Sequence, residues 1–167
     1  MFYKDSSNEI RDNLKYQIRK AKEKEWDEAM ELAFQTFLKY EAQEYGEEGI
    51  KSFSTFITDT MLKNFFLLGE YKMFIAETDN KIIGLISLRS GNHISLLFVD
   101  EKYHRMGIGK ALVSYVLNNL STSTHFNKIT VNASPYGTPF YHEIGFKDMG
   151  PLTKKDGIIY TPMELYI

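Results

Sequence analysis

Apolar residues in the first third of the chain recur at steps of three and four residues, which is the spacing of one face of a helix. Two such runs are present, and Gly46 and Gly49 between them predict a break. The sequence therefore predicts two early helices. Their apolar positions are Trp26, Ala29, Met30, Ala33, Phe34 and Phe37 in the first helix, and Ile50, Phe53, Phe56, Ile57 and Met61 in the second.

The hydrophobic pattern becomes that of strands from residue 72 onward. Lys72–Glu77 and Lys81–Arg89 read as strands, and the short polar stretch Thr78–Asn80 between them predicts a hairpin. His93–Val99 follows the turn signal Gly91-Asn92 and is nearly all apolar. Such a segment is typical of a central strand buried on both faces.

Helix and strand patterns alternate in the rest of the chain. Gly107–Leu120 has apolar residues at four-residue steps and predicts a helix packed on the sheet. Ser134-Pro135 predicts the start of a second helix, with serine as its cap, and Gly145 predicts its end. This order predicts a mixed-sheet α/β or α+β domain. The remaining predicted strands are Lys128–Val131, Phe146–Met149 and Ile158–Leu165, the last preceded by a turn at Asp156-Gly157.

Composition and charge limit the number of domains and the kinds of partner that the chain can have. A chain of 167 residues has room for one domain, which we place at residues 15–167, with residues 1–14 as an N-terminal extension or as part of the domain. A net charge of -2 without a basic tract argues against a nucleic-acid partner. No apolar run reaches the length of a membrane span. We expect a cytoplasmic protein that binds neither nucleic acid nor membrane.

The absence of cysteine excludes thiol catalysis and thiolate metal ligands. The four histidines show no metal-ligand spacing, and carboxylates do not complete one. We therefore expect no metal.

The turn after the strand His93–Val99 has the features of an anion site. Gly107 and Gly109 open a helix there, so backbone N–H groups without partners face outward, and the helix dipole adds partial positive charge. Arg105 and Lys110 would add full charges beside them. The same glycines would also suit a tight strand-to-helix connection that binds nothing.

Two common phosphate-binding motifs do not fit this turn. A Walker loop would need glycine in place of His104 and Ser or Thr in place of Ala111. A Rossmann fingerprint would need glycine in place of Leu112. Nucleotide hydrolysis and hydride transfer are therefore disfavoured.

The chain resembles the GNAT superfamily of acyl-CoA N-acyltransferases over about residues 72–167. One segment is similar to the family's motif A, with His104 where the family usually has Gln or Arg, and a second is similar to its motif B. The two lie in the family's chain order. The matching segments are Leu97–Asp100 with His104–Gly109 for motif A, Asn132–Ser134 with Pro139–Tyr141 and Ile144–Phe146 for motif B, and the closing strand Gly157–Glu164.

This resemblance implies a fold and a co-substrate. The fold is a mixed, mostly antiparallel sheet of about six to seven strands with a central splayed parallel pair, flanked by about four helices. The co-substrate is acetyl-CoA, with its pantetheine arm in the gap of the splayed pair and its pyrophosphate on the glycine turn. The implied CoA-binding residues are Leu97, Phe98, Val99, His104, Arg105, Met106, Gly107, Ile108, Gly109, Lys110, Asn132 and Tyr141.

The reaction implied is direct transfer of an acetyl group to a primary amine of a small molecule or peptide. A backbone N–H near Phe98 or Val99 would polarise the thioester carbonyl, and Tyr141 would be the general acid that protonates the departing thiolate. The alternative is a non-catalytic domain of the same fold that binds acyl-CoA as a sensor or interaction module. A homodimer is also possible in this family.

The acceptor side carries no motif. Four glutamates cluster in the predicted link between the early helices, which borders the acceptor site in the family. They either bind a cationic amine or form a solvated acidic loop. His93 is either a base or a structural histidine at a strand end. The candidate acceptor-binding residues are Glu41, Glu44 and His93, and the other two glutamates of the cluster are Glu47 and Glu48.

Overall fold

Residues 14–123 and 125–167 are described by the computed structural model of the protein. All but the last residue of the predicted extension, residues 1–14, lies outside this part of the chain. The strands are β1 (Gln17–Lys20), β2 (Lys72–Thr78), β3 (Lys81–Arg89), β4 (His93–Val99), β5 (Lys128–Ala133), β6 (Lys147–Asp148), β7 (Thr153–Lys155) and β8 (Ile158–Tyr166). The α-helices are α1 (Trp26–Tyr40), α2 (Ala42–Ile57), α3 (Thr60–Leu67), α4 (Ile108–Ser123) and α5 (Thr138–Glu143).

The described strands form one mixed sheet in the order β1-β2-β3-β4-β5-β8-β6, and β7 pairs with β8 outside this path. Every pair is antiparallel except β4 with β5, which is parallel. The predicted mixed sheet with a central parallel pair is therefore confirmed. The short polar strands β1 and β7 were not predicted, because neither has an apolar alternation to signal it.

Helices cover both faces of the sheet and create two cores. The face covered by α1, α2 and α3, here called the α1 face, buries Trp26 and Phe37. The face covered by α4 and α5, here called the α4 face, buries Leu112 and Tyr141. Strand β4 contributes to both, because alternate residues of a strand point to opposite sides. No helix in the described ranges is long and apolar enough to cross a membrane.

The early helices differ from the prediction in one respect. Helix α1 has the predicted buried face, but Gly46 and Gly49 lie inside α2 and do not separate it from α1. Gly46 kinks α2, with φ 67° and ψ -170°. The second predicted helix ends at Ile57, and Met61 belongs to the separate helix α3. The side chain of Asp59 caps α3 by accepting a hydrogen bond from the Met61 N–H at 2.8 Å.

The structure corrects the predicted start of the helix after β5. Ser134 and Pro135 form a turn, and α5 begins only at Thr138. The Ser134 hydroxyl accepts a hydrogen bond from the Gly137 N–H at 3.0 Å, so this serine stabilises the turn and does not cap the helix. Its hydroxyl therefore stays near the end of β5, beside the parallel pair.

Candidate active site

The parallel pair opens into a gap because β4 and β5 stay paired at only one end. The two pairs are His93 with Thr130 and Ile94 with Val131. The next residue of β4, Ser95, lies in a β-bulge, since the register against β3 shifts between Ser87 and Leu88. A bulge bends its strand and increases the local twist. Strand β4 therefore diverges from β5 directly after its last paired residue.

A buried tyrosine holds this bulge against the neighbouring strand. The hydroxyl of Tyr71 lies 2.6 Å from Ser87 Oγ and donates to Ser95 Oγ at 2.9 Å. Burial raises the pKa of Tyr71, which keeps the hydroxyl protonated and able to donate. The three hydroxyls connect β3 to the bulge of β4.

The loop after β4 has the backbone shape of an anion cradle. Arg105 and Gly107 both have positive φ, 61° and 79°, and α4 begins at the next residue, Ile108. Nothing lies within 4 Å of the position that a Cβ on Gly107 would occupy, so the concave side of the loop is open. The first N–H groups of α4 have no partner within the helix. The residues present therefore fit a pyrophosphate group.

His104 braces this loop. Its Nε2 lies 2.6 Å from the carbonyl oxygen of Val99, and its backbone N–H donates to the Glu101 carbonyl at 3.2 Å. Its ring packs on Tyr40 at 4.9 Å between centroids. These contacts hold the loop on β4.

One cavity of about 890 Å³ joins the gap, the loop and the early helices. Phe98, which points to the α1 face, and Tyr141, which belongs to the α4 face, both line it, so the cavity passes through the sheet. Of the predicted CoA-binding residues only Met106 does not line it, because its side chain packs in the core of the α4 face. The predicted residues that line it are Leu97, Phe98, Val99, His104, Arg105, Gly107, Ile108, Gly109, Lys110, Asn132 and Tyr141.

A carboxyl group lies at the junction between α1 and α2 in this cavity. Glu41 Oε1 accepts a hydrogen bond from Ser134 Oγ at 2.6 Å. Burial raises the pKa of Glu41, the bond from Ser134 opposes this, and the charge of Glu44 adds to it. Burial, and after it the negative charge of Glu41, raises the pKa of two neighbouring side chains, Tyr45 and Tyr141. The sequence does not predict Ser134 and Tyr45 as neighbours of Glu41, because Ser134-Pro135 reads as a helix start and Tyr45 belongs to no motif.

Tyr141 is 6% exposed and lies on the wall of the cavity. Burial raises the pKa of Tyr141 well above its usual range, and the charge of Glu41 raises it further. Its ring is held edge-on between Phe140 and Phe146, with centroids 5.1 and 5.2 Å away. The side chain is therefore a fixed, protonated hydroxyl at neutral pH.

The structure does not bring Glu44 or His93 into the cavity. Glu44 is exposed on α2 and is absent from the lining. His93 lies at the paired end of β4, where Nδ1 is 2.8 Å from Thr130 Oγ1 and Nε2 is 3.3 Å from Arg89. Burial and the charge of Arg89 lower the pKa of His93 to about 4. Neither side chain lines the cavity, and for His93 the reason is that the gap opens only beyond Ile94.

The described part of the chain holds no group of three or more His, Cys, Asp or Glu side chains arranged for a metal ion. The absence of a metal nevertheless stays a prediction from the sequence.

The family described as "Acetyltransferase (GNAT) domain" matches residues 41–167. The chain therefore belongs to the GNAT acetyltransferase family, which confirms the resemblance drawn from the two motifs. A solved structure, PaiA N-acetyltransferase from Thermoplasma acidophilum in complex with coenzyme A, has the same fold. It superposes with a TM-score of 0.76 at 21% identity, covering 92% of this chain and 100% of that one.

Two curated relatives are similar over shorter stretches. Peptidyl-lysine N-acetyltransferase YiaC of Escherichia coli (strain K12) is 39% identical over 49 residues, which is 29% of this chain and 34% of the relative. Glucosamine 6-phosphate N-acetyltransferase of Trypanosoma brucei brucei is 31% identical over 86 residues, 46% of this chain and 58% of the relative. The chain thus covers only part of each relative, and the two names give different acceptors.

Proposed function

We propose that residues 15–167 form a single N-acetyltransferase domain that transfers an acetyl group from acetyl-CoA directly to a primary amine of a small molecule or peptide. The observation that carries this proposal is the cavity that passes through the sheet at the gap between β4 and β5. It joins an open anion cradle and a protonated tyrosine on the α4 face to a partly buried carboxyl group at the junction of α1 and α2. Donor and acceptor can therefore meet without an enzyme-bound intermediate.

The donor half of the site is made largely of backbone. The amides of the loop and the first turn of α4 would hold the pyrophosphate, with Arg105 and Lys110 beside them. Beyond Ile94 the edge of β4 that faces the gap has no strand partner among the described residues, so its N–H and C=O groups can pair with an extended pantetheine arm. A β4 N–H directed at the thioester oxygen would stabilise the charge that develops there.

The chemistry balances without any further reagent. The acceptor enters as an ammonium ion, loses one proton to solvent, and its nitrogen attacks the thioester carbon. The C–N bond forms and the C–S bond breaks, and the leaving sulfur takes the proton of the Tyr141 hydroxyl. The nitrogen then releases its second proton, which restores the tyrosine hydroxyl through solvent. The products are an acetamide, CoA with a free thiol, and one proton.

The test is thiol release from acetyl-CoA with a panel of primary amines, together with calorimetric titration of CoA. We expect amine-dependent release of free thiol with at least one acceptor. Tight CoA binding with no thiol release across the panel would instead support the non-catalytic sensor that the sequence left open. Propionyl-CoA and succinyl-CoA serve as comparison donors, and a preference for either would contradict acetyl transfer.

A further inference from the structure

The cavity has a distinct half on the α1 face, which we call the acceptor chamber. Charged side chains are few in its lining. Among the lining residues contributed by α1, α2, β8 and the junction between α1 and α2, Glu41 at that junction is the single charged side chain. The chamber is lined by Thr36, Phe37, Tyr40, Glu41, Tyr45, Phe53 and Ile158.

All cationic side chains of the lining lie elsewhere. Arg105 follows His104 in the loop after β4, and Lys110 belongs to the first turn of α4. The proposed function assigns both segments to the pyrophosphate of CoA. The chamber residues include no cation that could pair with a phosphate on the acceptor, while Arg105, outside the chamber, acts electrostatically on Tyr136 beside Tyr40. The second acidic residue of the lining, Glu143, is at the end of α5 on the α4 face, so a polycation would find one carboxylate in the chamber.

The rest of the chamber is an apolar wall with fixed geometry. Phe53 stacks on Phe37 at 4.0 Å between ring centroids and meets Phe98 edge-on at 5.8 Å. Phe53 and Ile158 are only partly buried and are available to a ligand, whereas the ring of Tyr40 already packs on His104 and Tyr136. Aromatic side chains locked in this way offer contact area at little entropic cost.

We propose that the acceptor is a small monoamine, with its ammonium group paired to Glu41 and a ring-sized apolar body packed on Phe53 and Ile158. This rests on the proposed function, since it names the substrate class of the same site. The proposal separates this protein from acetyltransferases for phosphorylated sugars, polyamines and aminoglycosides, because their acceptors need several polar or charged partners. Burial of an apolar ring in the chamber would favour such a monoamine over these more polar acceptors.

The experiment compares acceptors at saturating acetyl-CoA by thiol release. The panel is phenethylamine, ethanolamine, spermidine, kanamycin and glucosamine 6-phosphate. We expect kcat/KM for phenethylamine to exceed that for each of the others by at least about tenfold, which is the scale expected for burying one ring.

Glu41→Gln should raise KM for phenethylamine about tenfold or more and leave KM for acetyl-CoA unchanged. The matched control is Glu47→Gln, an exposed residue of α2 outside the lining, which should change neither constant.

Each other result overturns the inference. Faster turnover of spermidine, kanamycin or glucosamine 6-phosphate would refute the apolar monoamine while leaving the N-acetyltransferase proposal intact. Equal turnover of phenethylamine and ethanolamine would refute the role of the apolar wall. An unchanged KM for phenethylamine in a Glu41→Gln variant with wild-type circular dichroism and Tm would refute the ion pair. No thiol release with any amine would refute both proposals together.

Discussion

Burial and one neighbouring charge give Tyr141 its proposed role. A tyrosine that stays protonated at neutral and mildly alkaline pH can donate to a thiolate, and the pKa of Tyr141 is raised by burial and by Glu41. Among the tyrosines of the chain the sequence alone could single it out only through motif B. The structure adds the physical reason, since Tyr141 lines the gap between the splayed strands.

Replacing Tyr141 with phenylalanine tests this role directly. We expect Tyr141→Phe to lower kcat by about 10²- to 10⁴-fold, the usual contribution of a general acid, while CoA affinity in calorimetry changes less than threefold. Tyr115→Phe is the control, because Tyr115 packs on Phe74 and does not line the cavity. Turnover of Tyr141→Phe equal to that of the wild type would remove the proposed acid.

The raised pKa of Glu41 predicts a pH dependence of stability. A carboxyl group whose pKa is higher in the folded state binds more protons when folded, so its stabilising contribution is complete below its unfolded value of about 4.5 and is lost as pH rises through the folded value. Glu41→Gln should therefore gain stability over the wild type on going from about pH 4 to about pH 8, because glutamine does not titrate. Urea unfolding at both pH values measures this, and a constant difference between the two proteins would contradict it.

At the level of single elements, the gap depends on the bulge in β4. Tyr71→Phe removes the hydroxyl that joins Ser87 to Ser95. We expect a loss of about 1–2 kcal/mol in the free energy of unfolding and a several-fold rise in KM for acetyl-CoA, because β4 would no longer be held in its diverging path. Ser95→Ala should raise KM in the same way. A stability loss with unchanged KM for acetyl-CoA would show that Tyr71 stabilises the fold but does not affect acetyl-CoA binding.

The loop between β4 and α4 is the second element whose backbone is decisive. In Gly107→Val a branched side chain would point into the open side of the loop from a residue with φ 79°. CoA affinity should fall by at least about tenfold, because a β-branched residue is strained at positive φ and blocks the approach of the pyrophosphate. Turnover of S-acetylpantetheine, which has no pyrophosphate, should stay near the wild-type value. An equal loss with both donors would indicate general disruption of the fold.

At the scale of the whole molecule, the acceptor chamber depends on a contact between segments about a hundred residues apart. Helix α2 crosses the turn between β7 and β8 at Gly49 and Gly157, and Ser52 Oγ donates to the Asp156 carbonyl at 2.7 Å. A Cβ on Gly49 would collide with Tyr45 Cβ in the same helix and would lie 2.6 Å from the Gly157 carbonyl oxygen. This close approach holds α2, and with it Tyr45 and Phe53, over the gap.

Gly49→Ala tests the crossing. The added methyl group should push α2 away from the turn, lower the free energy of unfolding by about 1–3 kcal/mol and raise KM for the amine without changing CoA affinity. Ser52→Ala, which loses only an exposed hydrogen bond, should cost less, about 0.5–1 kcal/mol. Wild-type stability in Gly49→Ala, measured by urea unfolding, would show that the segments separate without cost.

The amino-acid sequence by itself determined the order of most elements and the two motifs that define the family. Helix and strand periodicities, the Asp79-Asn80 turn and the glycines after β4 act between residues that are close in the chain, so they can be predicted without a structure. The same locality explains the omissions: β1 and β7 are polar and are held by their partner strands, and α3 begins at an Asp59 cap inside what reads as one helical pattern.

Only the tertiary structure decided which candidate residues meet. Glu41 lines the cavity, whereas Glu44, three residues further along the chain, is exposed to solvent. Their spacing in the sequence does not show which of the two faces the cavity. The tertiary structure placed Ser134 and Tyr45 in the cavity lining beside Glu41 and left His93 outside that lining. The physical reason is that the cavity exists where β4 leaves β5, and this divergence depends on the bulge at Ser95 and on packing between segments far apart in the chain.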